Sequence, residues 1–149
     1  RNNVAHSLLV ISAKLGINLR ICTPEQLRPA PEIVNEAAKL AEESGAAMAT
    51  TDDPDAALPG ADAVYTDVWV SMGEEEQAQE RLAMLAPYRV TAERMEQTGK
   101  NHAVFLHCLP AVRGNEVTDE VMDGARSAVW DQAENRKHSI KALMLDTMR

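Results

Sequence analysis

Aromatic residues are nearly missing from these 149 residues: two Trp, two Tyr and one Phe. They cannot build the core, so Ala, Val, Leu, Ile and Met must supply it. Basic charge is also short, with 15 Lys and Arg against 23 Asp and Glu and a net charge of −8. Gripping a phosphate backbone needs clustered Lys and Arg, so neither nucleic acid nor an anionic membrane surface is an expected partner. The two cysteines, Cys22 and Cys108, lie far apart and offer no disulfide framework, which points to a reducing, cytoplasmic setting. No apolar run approaches the roughly 20 residues that span a bilayer, and no basic-then-apolar leader opens the chain. The start, Arg1-Asn2-Asn3, lacks a methionine, and further chain is expected upstream. What is present, 45% hydrophobic and 26% charged, suits one ordinary globular domain.

Hydrophobic spacing predicts a helix over 4–15, with Val4, Leu8, Ile11 and Leu15 on its buried face beside Ala5, Leu9 and Ser12. Gly16 supplies the stop, and 17–22 alternates as a strand. Pro31 suits the first turn of a second helix, whose buried stripe is Ile33, Val34, Ala37, Leu40 and Ala41 and whose end is Ser44-Gly45. A strand follows at 46–50, then a single turn over 53–58 capped by Asp52 or Asp53. Strands are expected at 61–68, 103–106 and 127–130, and helices at 74–85, 90–97 and 118–122. The helix at 74–85 opens on acidic residues that suit its dipole. A final helix runs over 131–148, with Ile140, Leu143, Met144 and Thr147 on one face. Alternating strands and helices imply a doubly wound α/β domain, a parallel sheet with helices on both faces. The first helix lacks a strand before it, so a leading strand is expected upstream.

In such sheets, ligands bind beyond the carboxyl ends of the strands. The strand 61–68 runs into Asp67-Val68-Trp69-Val70-Ser71-Met72-Gly73, and the strand 103–106 into His107-Cys108-Leu109-Pro110. The strand 127–130 runs into Asp131-Gln132-Ala133-Glu134-Asn135-Arg136, and Asn2-Asn3 sits where a missing strand would meet the first helix. Four polar clusters thus converge on one edge. Each has a plainer reading by itself. Asp67 can cap a turn, Ser71-Met72-Gly73 can be a simple loop, and Cys108 can be a small buried hydrophobe. His107 can be a core histidine, Arg136 can pair with Asp131 or Glu134 along a helix, and Asn2-Asn3 can be an N-cap. His6, His102 and His138 have no spacing that would hold a metal, and Cys22 lies inside an apolar strand.

Taken together, the motifs Asp67 to Gly73, His107-Cys108-Leu109-Pro110, Asp131 to Arg136 and Asn2-Asn3-Val4-Ala5-His6-Ser7 closely resemble the ornithine carbamoyltransferases. The likeness runs along the whole chain and matches the second, ornithine-binding half of those enzymes with its C-terminal helix. Within the wider family, the aspartate enzymes carry proline where this chain has Cys108 and lack the Ser-Met-Gly loop. The acetylornithine and putrescine relatives differ around the amino-acid loop. The short segment between Pro110 and Glu116 resembles the biosynthetic versions more than the catabolic ones.

The resemblance implies transfer of a carbamoyl group from carbamoyl phosphate to the δ-amino group of L-ornithine, giving L-citrulline and phosphate, with no metal or organic cofactor. It implies that Asn3, Asp67, Ser71 and Met72 hold ornithine, Met72 through its backbone. Cys108 would stand beside the δ-amino group, to orient or deprotonate it, with the Leu109 backbone near the carbamoyl group. His107 and Arg136, with Cys108 and Leu109, would meet carbamoyl phosphate. The 71–73 loop would close after carbamoyl phosphate binds. The family assembles as trimers or multiples of trimers. Its phosphate-gripping Ser-Thr-Arg-Thr segment belongs to the first half and does not occur here, so this chain alone is expected to be inactive. Two rivals stand beside this reading: a binding module without catalysis, with no need of Cys108 or Arg136, and a catalytically silent subunit.

Overall fold

The computed structural model describes residues 3–70, 76 and 78–148. It falls into two compact units, Arg1–Ala57 and Leu58–Arg149. Each holds one parallel strand pair flanked by helices, part of the doubly wound α/β arrangement expected from the sequence. Among the described residues, no helix is long and apolar enough to cross a membrane.

The first unit runs α1 (Asn3–Leu15), β1 (Leu19–Cys22), a 3₁₀ turn (Glu25–Leu27), α2 (Pro31–Ser44), β2 (Met48–Thr51) and the short α3 (Pro54–Ala57). Pro31 occupies the first turn of α2, where its missing N–H goes unneeded. Asp53 Oδ1 accepts from the Asp55 N–H at 2.9 Å, so Asp53 is the cap of the single turn. Leu9, Ala13, Ala37 and Ala41 form the core, with Ile33 and Leu40 packed at its margin. The buried face of α1 is therefore Leu9, Ser12 and Ala13, rotated from the expected stripe: Ile11 is 45% and Leu15 65% exposed. Alanines explain the rotation, because two helices facing each other through Ala13, Ala37 and Ala41 approach more closely than branched side chains allow. Val34, expected inside, is exposed for the same reason. Gly16 has φ +72°, a left-handed conformation that non-glycine residues adopt at a cost.

The second unit runs β3 (Ala63–Thr66), α4 (Ala78–Leu85), a 3₁₀ turn (Ala86–Tyr88), α5 (Ala92–Gln97), β4 (Val104–His107), α6 (Asp119–Met122) and α7 (Val129–Thr147). Thr91 caps α5, its side chain accepting from the Arg94 N–H at 3.3 Å. The core gathers Met95, Phe105, Val117, Val121, Met122 and Val129. A last strand at 127–130 does not form. Phe105 donates to the Arg126 carbonyl at 2.8 Å and accepts from the Ala128 N–H at 2.9 Å, and the chain then turns into α7. Val129 goes inward and Trp130 is 58% exposed, a split that a helix start satisfies as well as a strand. The α7 face carrying Ile140, Leu143 and Met144 is exposed.

Candidate functional site

β3 and β4 pair in parallel with Thr66 opposite His107. One step further along the same register, Asp67 and Cys108 leave the two strands side by side. The Cys108 thiol donates to Asp67 Oδ1 at 2.9 Å, and the same oxygen accepts from the Val68 N–H at 2.7 Å. Asp67 thus steadies its own turn, as the plainer reading had it, and also holds the cysteine.

Strand alternation decides which side chains share that face. Tyr65 lies two residues before Asp67, and Leu106 two before Cys108. Tyr65, Leu106 and Cys108 line a cleft of about 580 Å³, whose other wall is α7 with Asp131, Gln132 and Arg136. Gln132 closes the corner: its Oε1 accepts from the His107 backbone N–H at 3.0 Å, and its Nε2 donates to the Tyr65 hydroxyl at 3.1 Å. Burial pushes the Cys108 thiol up to about 11, and Asp67 adds to the shift by accepting its proton and by its negative charge. Burial likewise raises Tyr65 to about 12, with the nearby cysteine contributing next. At neutral pH the cysteine is therefore a thiol, a hydrogen-bonding group rather than a thiolate nucleophile.

The same alternation sends His107 to the opposite face, with Phe105. Their rings are 6.5 Å apart, and the His107 side chain is 0% exposed. Its Nδ1 accepts from the Leu109 N–H at 2.8 Å, which puts the ring proton on Nε2, 3.3 Å from the buried Glu116 Oε1. That Glu116 oxygen also accepts from the Val112 N–H at 2.6 Å. Leu109 has φ +57°, outside the usual range for a branched side chain, and the Leu109–Pro110 bond is cis. His107 and Glu116 thus hold the backbone from 107 to 112 from behind. His107 also lines the cleft beside Cys108, with its side chain fully buried.

Arg136 lies one helical turn beyond Gln132 and is exposed on the cleft. It does not pair with Asp131 or Glu134. Glu134 faces Lys137 and His138, each at 3.6 Å, which leaves the guanidinium directed at the cleft without an ion-pair partner among the described residues.

The model of the aspartate/ornithine carbamoyltransferase Asp/Orn-binding domain matches residues 1–147. This chain belongs to that family. The chain is 53% identical over 148 residues to the ornithine carbamoyltransferase of Thermotoga petrophila, covering 99% of this chain and 47% of that one. Among solved structures, the anabolic ornithine carbamoyltransferase of Campylobacter jejuni superposes with a TM-score of 0.92 at 36% identity, covering 99% of this chain and 49% of that one. The Pyrococcus furiosus ornithine carbamoyltransferase does so with a TM-score of 0.90 at 45% identity, over 96% of this chain and 45% of that one. The chain thus spans about half the length of the relatives it matches.

Of the residues singled out in the sequence, the second unit brings Asp67, Cys108, Leu109 and Arg136 to one end of the β3–β4 pair. Asn3 opens α1 of the first unit, exposed. Ser71 and Met72 lie outside the described residues. Sequence reasoning missed Tyr65, Gln132 and Glu116. Tyr65 carried a usable signal, its two-residue offset from Asp67 on a strand. Glu116 carried none, since nothing local distinguishes a buried acid from a solvated one.

Proposed function

We propose that this chain is the ornithine-binding half of an ornithine carbamoyltransferase that makes L-citrulline and phosphate from L-ornithine and carbamoyl phosphate. The observation that carries the reading is one cleft lined by Cys108, whose thiol is hydrogen-bonded to Asp67, and by Arg136, which has no ion-pair partner among the described residues. A cation lining the cleft and a carboxylate held by the lining cysteine suit one substrate with a phosphate and another with an ammonium group.

In this reading Asp67 meets the α-ammonium of ornithine, with Asn3, Ser71 and the Met72 backbone completing the grip. Cys108 orients the δ-amino group. An alkylammonium has a pKa of about 10.4 in water and must lose a proton before it can attack, and a desolvated cleft favours that loss. The amine lone pair then forms the C–N bond and the carbamoyl carbonyl becomes an oxyanion; the intermediate collapses with cleavage of the bond to phosphate oxygen, the nitrogen passing its extra proton to the departing phosphate. Arg136 supplies fixed charge and a fork of donors to the developing anion and to phosphate. Much of the remaining acceleration comes from holding the two substrates in line. His107 serves by shaping the loop that carries Cys108 and Leu109. A cytoplasmic enzyme, trimeric or a multiple of trimers once complete, belongs to the same reading.

The test is citrulline formation by this chain alone and by the chain joined to a carbamoyl-phosphate-binding first half, with putrescine and aspartate as competing acceptors. Turnover only in the joined form, with ornithine preferred and activity lost in Asp67→Ala, is the expected result. A well-folded joined form with no turnover would favour a binding module or a silent subunit. Turnover by the isolated chain would put the phosphate site in the wrong half.

A further inference from the structure

The strand expected beside β4 does not form, and β4 is left with an amide to satisfy on that edge. Successive amides of a strand point to opposite edges. Val104 donates to the Asp62 carbonyl on the β3 side at 3.0 Å, whereas Phe105 donates to the Arg126 carbonyl on the other side at 2.8 Å. His107, two residues after Phe105, therefore turns its N–H to that second edge, where the chain has already entered α7. The Gln132 side chain stands in for the missing strand: its Oε1 accepts from the His107 N–H at 3.0 Å. A backbone N–H can only donate, so the amide oxygen must face it and the NH₂ is left to donate. It does so to the Tyr65 hydroxyl on β3, at 3.1 Å. One side chain in the first turn of α7 is thus tied to the carboxyl ends of both strands.

We infer that Gln132 is a positioning residue for Arg136: by tying the first turn of α7 to His107 on β4 and Tyr65 on β3, it sets where the guanidinium one turn further on stands relative to Cys108. Residues four apart share a helix face, and Arg136 lines the same cleft as Tyr65, Cys108 and Gln132. No ion pair among the described residues holds the Arg136 head group, since Glu134 faces Lys137 and His138. Its placement therefore comes from the helix that carries it. Cys108 has holds of its own, through the pairing of β4 with β3 and its bond to Asp67. The role in turnover rests on the carbamoyltransferase reading. There, loss of the tether displaces the group that meets carbamoyl phosphate and spares those that meet ornithine.

The tether is read without substrate, from hydrogen exchange of single amides in this chain. Gln132→Ala removes both bonds, and Gln132→Met keeps the length of the side chain without either. The bond from the Ala128 N–H to the Phe105 carbonyl, at 2.9 Å, still holds the entry to α7 in both variants. Each should speed exchange of the His107 amide by roughly five- to tenfold, while the Val104 and Leu106 amides on the β3 edge keep the parent rate. The role is read in the chain joined to a carbamoyl-phosphate-binding first half. There both variants should raise KM for carbamoyl phosphate by roughly tenfold or more, with KM for ornithine held within about twofold. Beside Arg136→Ala, adding Gln132→Ala should raise KM for carbamoyl phosphate no further, because a residue acting through Arg136 has nothing left to place. A His107 amide that exchanges at the parent rate overturns the tether. Equal rises in both KM values, or a full additional rise beside Arg136→Ala, would mean general support of the fold, and either overturns the inference alone. An inactive parent in the joined form is a different result: it removes the carbamoyltransferase reading, and this role with it.

Discussion

The two units solve the same packing problem with different materials. The first buries Leu9, Ala13, Ala37 and Ala41 between helices and strands, with Ser12 as its inward-facing polar residue in α1. The second unit carries every aromatic residue of the chain and fully buries Phe105, together with His107, Glu116 and Thr98. Removing polar groups from water is costly unless each finds a partner. Such groups therefore gather where they must do something that an apolar side chain cannot, and here that place is the back of the Cys108–Leu109 loop. The first unit needs shape alone, and the second needs shape and particular atoms.

The largest effect that sharpens this contrast is Phe105→Ala. Phe105 lies at the centre of the second core and is the one Phe available to fill it. Loss of a buried Phe costs about 3–5 kcal/mol through transfer and cavity terms. Urea unfolding followed by tryptophan fluorescence reads the second unit alone, because Trp69 and Trp130 both belong to it. A midpoint within error of the parent would mean the core is not centred on β4.

Glu116→Ala comes next. It strips the acceptor from the Val112 N–H, at about 1–3 kcal/mol for the stranded donor. Glu116→Gln keeps an acceptor for the Val112 N–H and should recover more than half of that loss. If Glu116→Ala is neutral by the same fluorescence assay, the buried acid is ordinary filling and the contrast between the units fails.

How far these differences could be read from the chain itself depends on the range of the forces involved. The carboxyl-end rule picks out Asp67, Cys108 and Arg136, which the fold brings to one end of the β3–β4 pair, because it needs only strand positions and the residues that follow them. The helix α1 was found, yet its buried face was misplaced by about one residue, because Ile11 and Leu15 are the more hydrophobic while Ala13 fits the neighbouring helix. Ser127–Trp130 looked like a strand because Val129 and Trp130 favour one, and a tertiary bridge to Phe105 followed by a helix start overrode that preference. His107 and Cys108 are neighbours in one motif, and the sequence alone does not say which face each side chain takes. Once β4 is seen to extend through His107, alternation separates them. Glu116 became recognisable only when the fold brought it to His107, nine positions away in the chain and fully enclosed.

A smaller effect tests the first unit in its own terms. Gly16→Ala forces a side chain at φ +72° and brings its Cβ to 3.3 Å from the Ser44 carbonyl oxygen. The left-handed conformation alone costs about 1–2 kcal/mol for an L-residue, so a loss of about 1 kcal/mol or slightly more is expected. Fluorescence does not sense this unit, so the loss should be read from faster hydrogen exchange of the α1 and α2 amides. Exchange accelerated equally in the second unit would show that the glycine matters to more than its own helix pair.

The smallest effect lies on the surface of the second unit, where polar contacts are exposed and worth little. Arg113 binds Asp123 through two hydrogen bonds, at 2.5 and 2.9 Å, and Asp119 through another at 2.9 Å. The hydrogen bond to Arg113 holds the Asp123 carboxyl below its ordinary value of 3.8 against the opposing loss of solvation, and the positive charge of Arg113 adds a smaller lowering. A carboxyl depressed on folding binds its proton less readily in the folded chain than in the unfolded one. Its contribution is therefore complete above about pH 4 and is lost as the pH falls through the depressed value. Asp123→Asn should lower the urea midpoint slightly at neutral pH, since Asp119 remains to hold Arg113, and the gap should close in acid. Added salt should narrow it at neutral pH as well. A gap that persists unchanged at low pH would mean that the asparagine disturbs the turn after α6, and that the ion pair itself contributes nothing measurable. The contrast would then sharpen further: in this unit the polar contacts that count would be those inside it, behind the cleft.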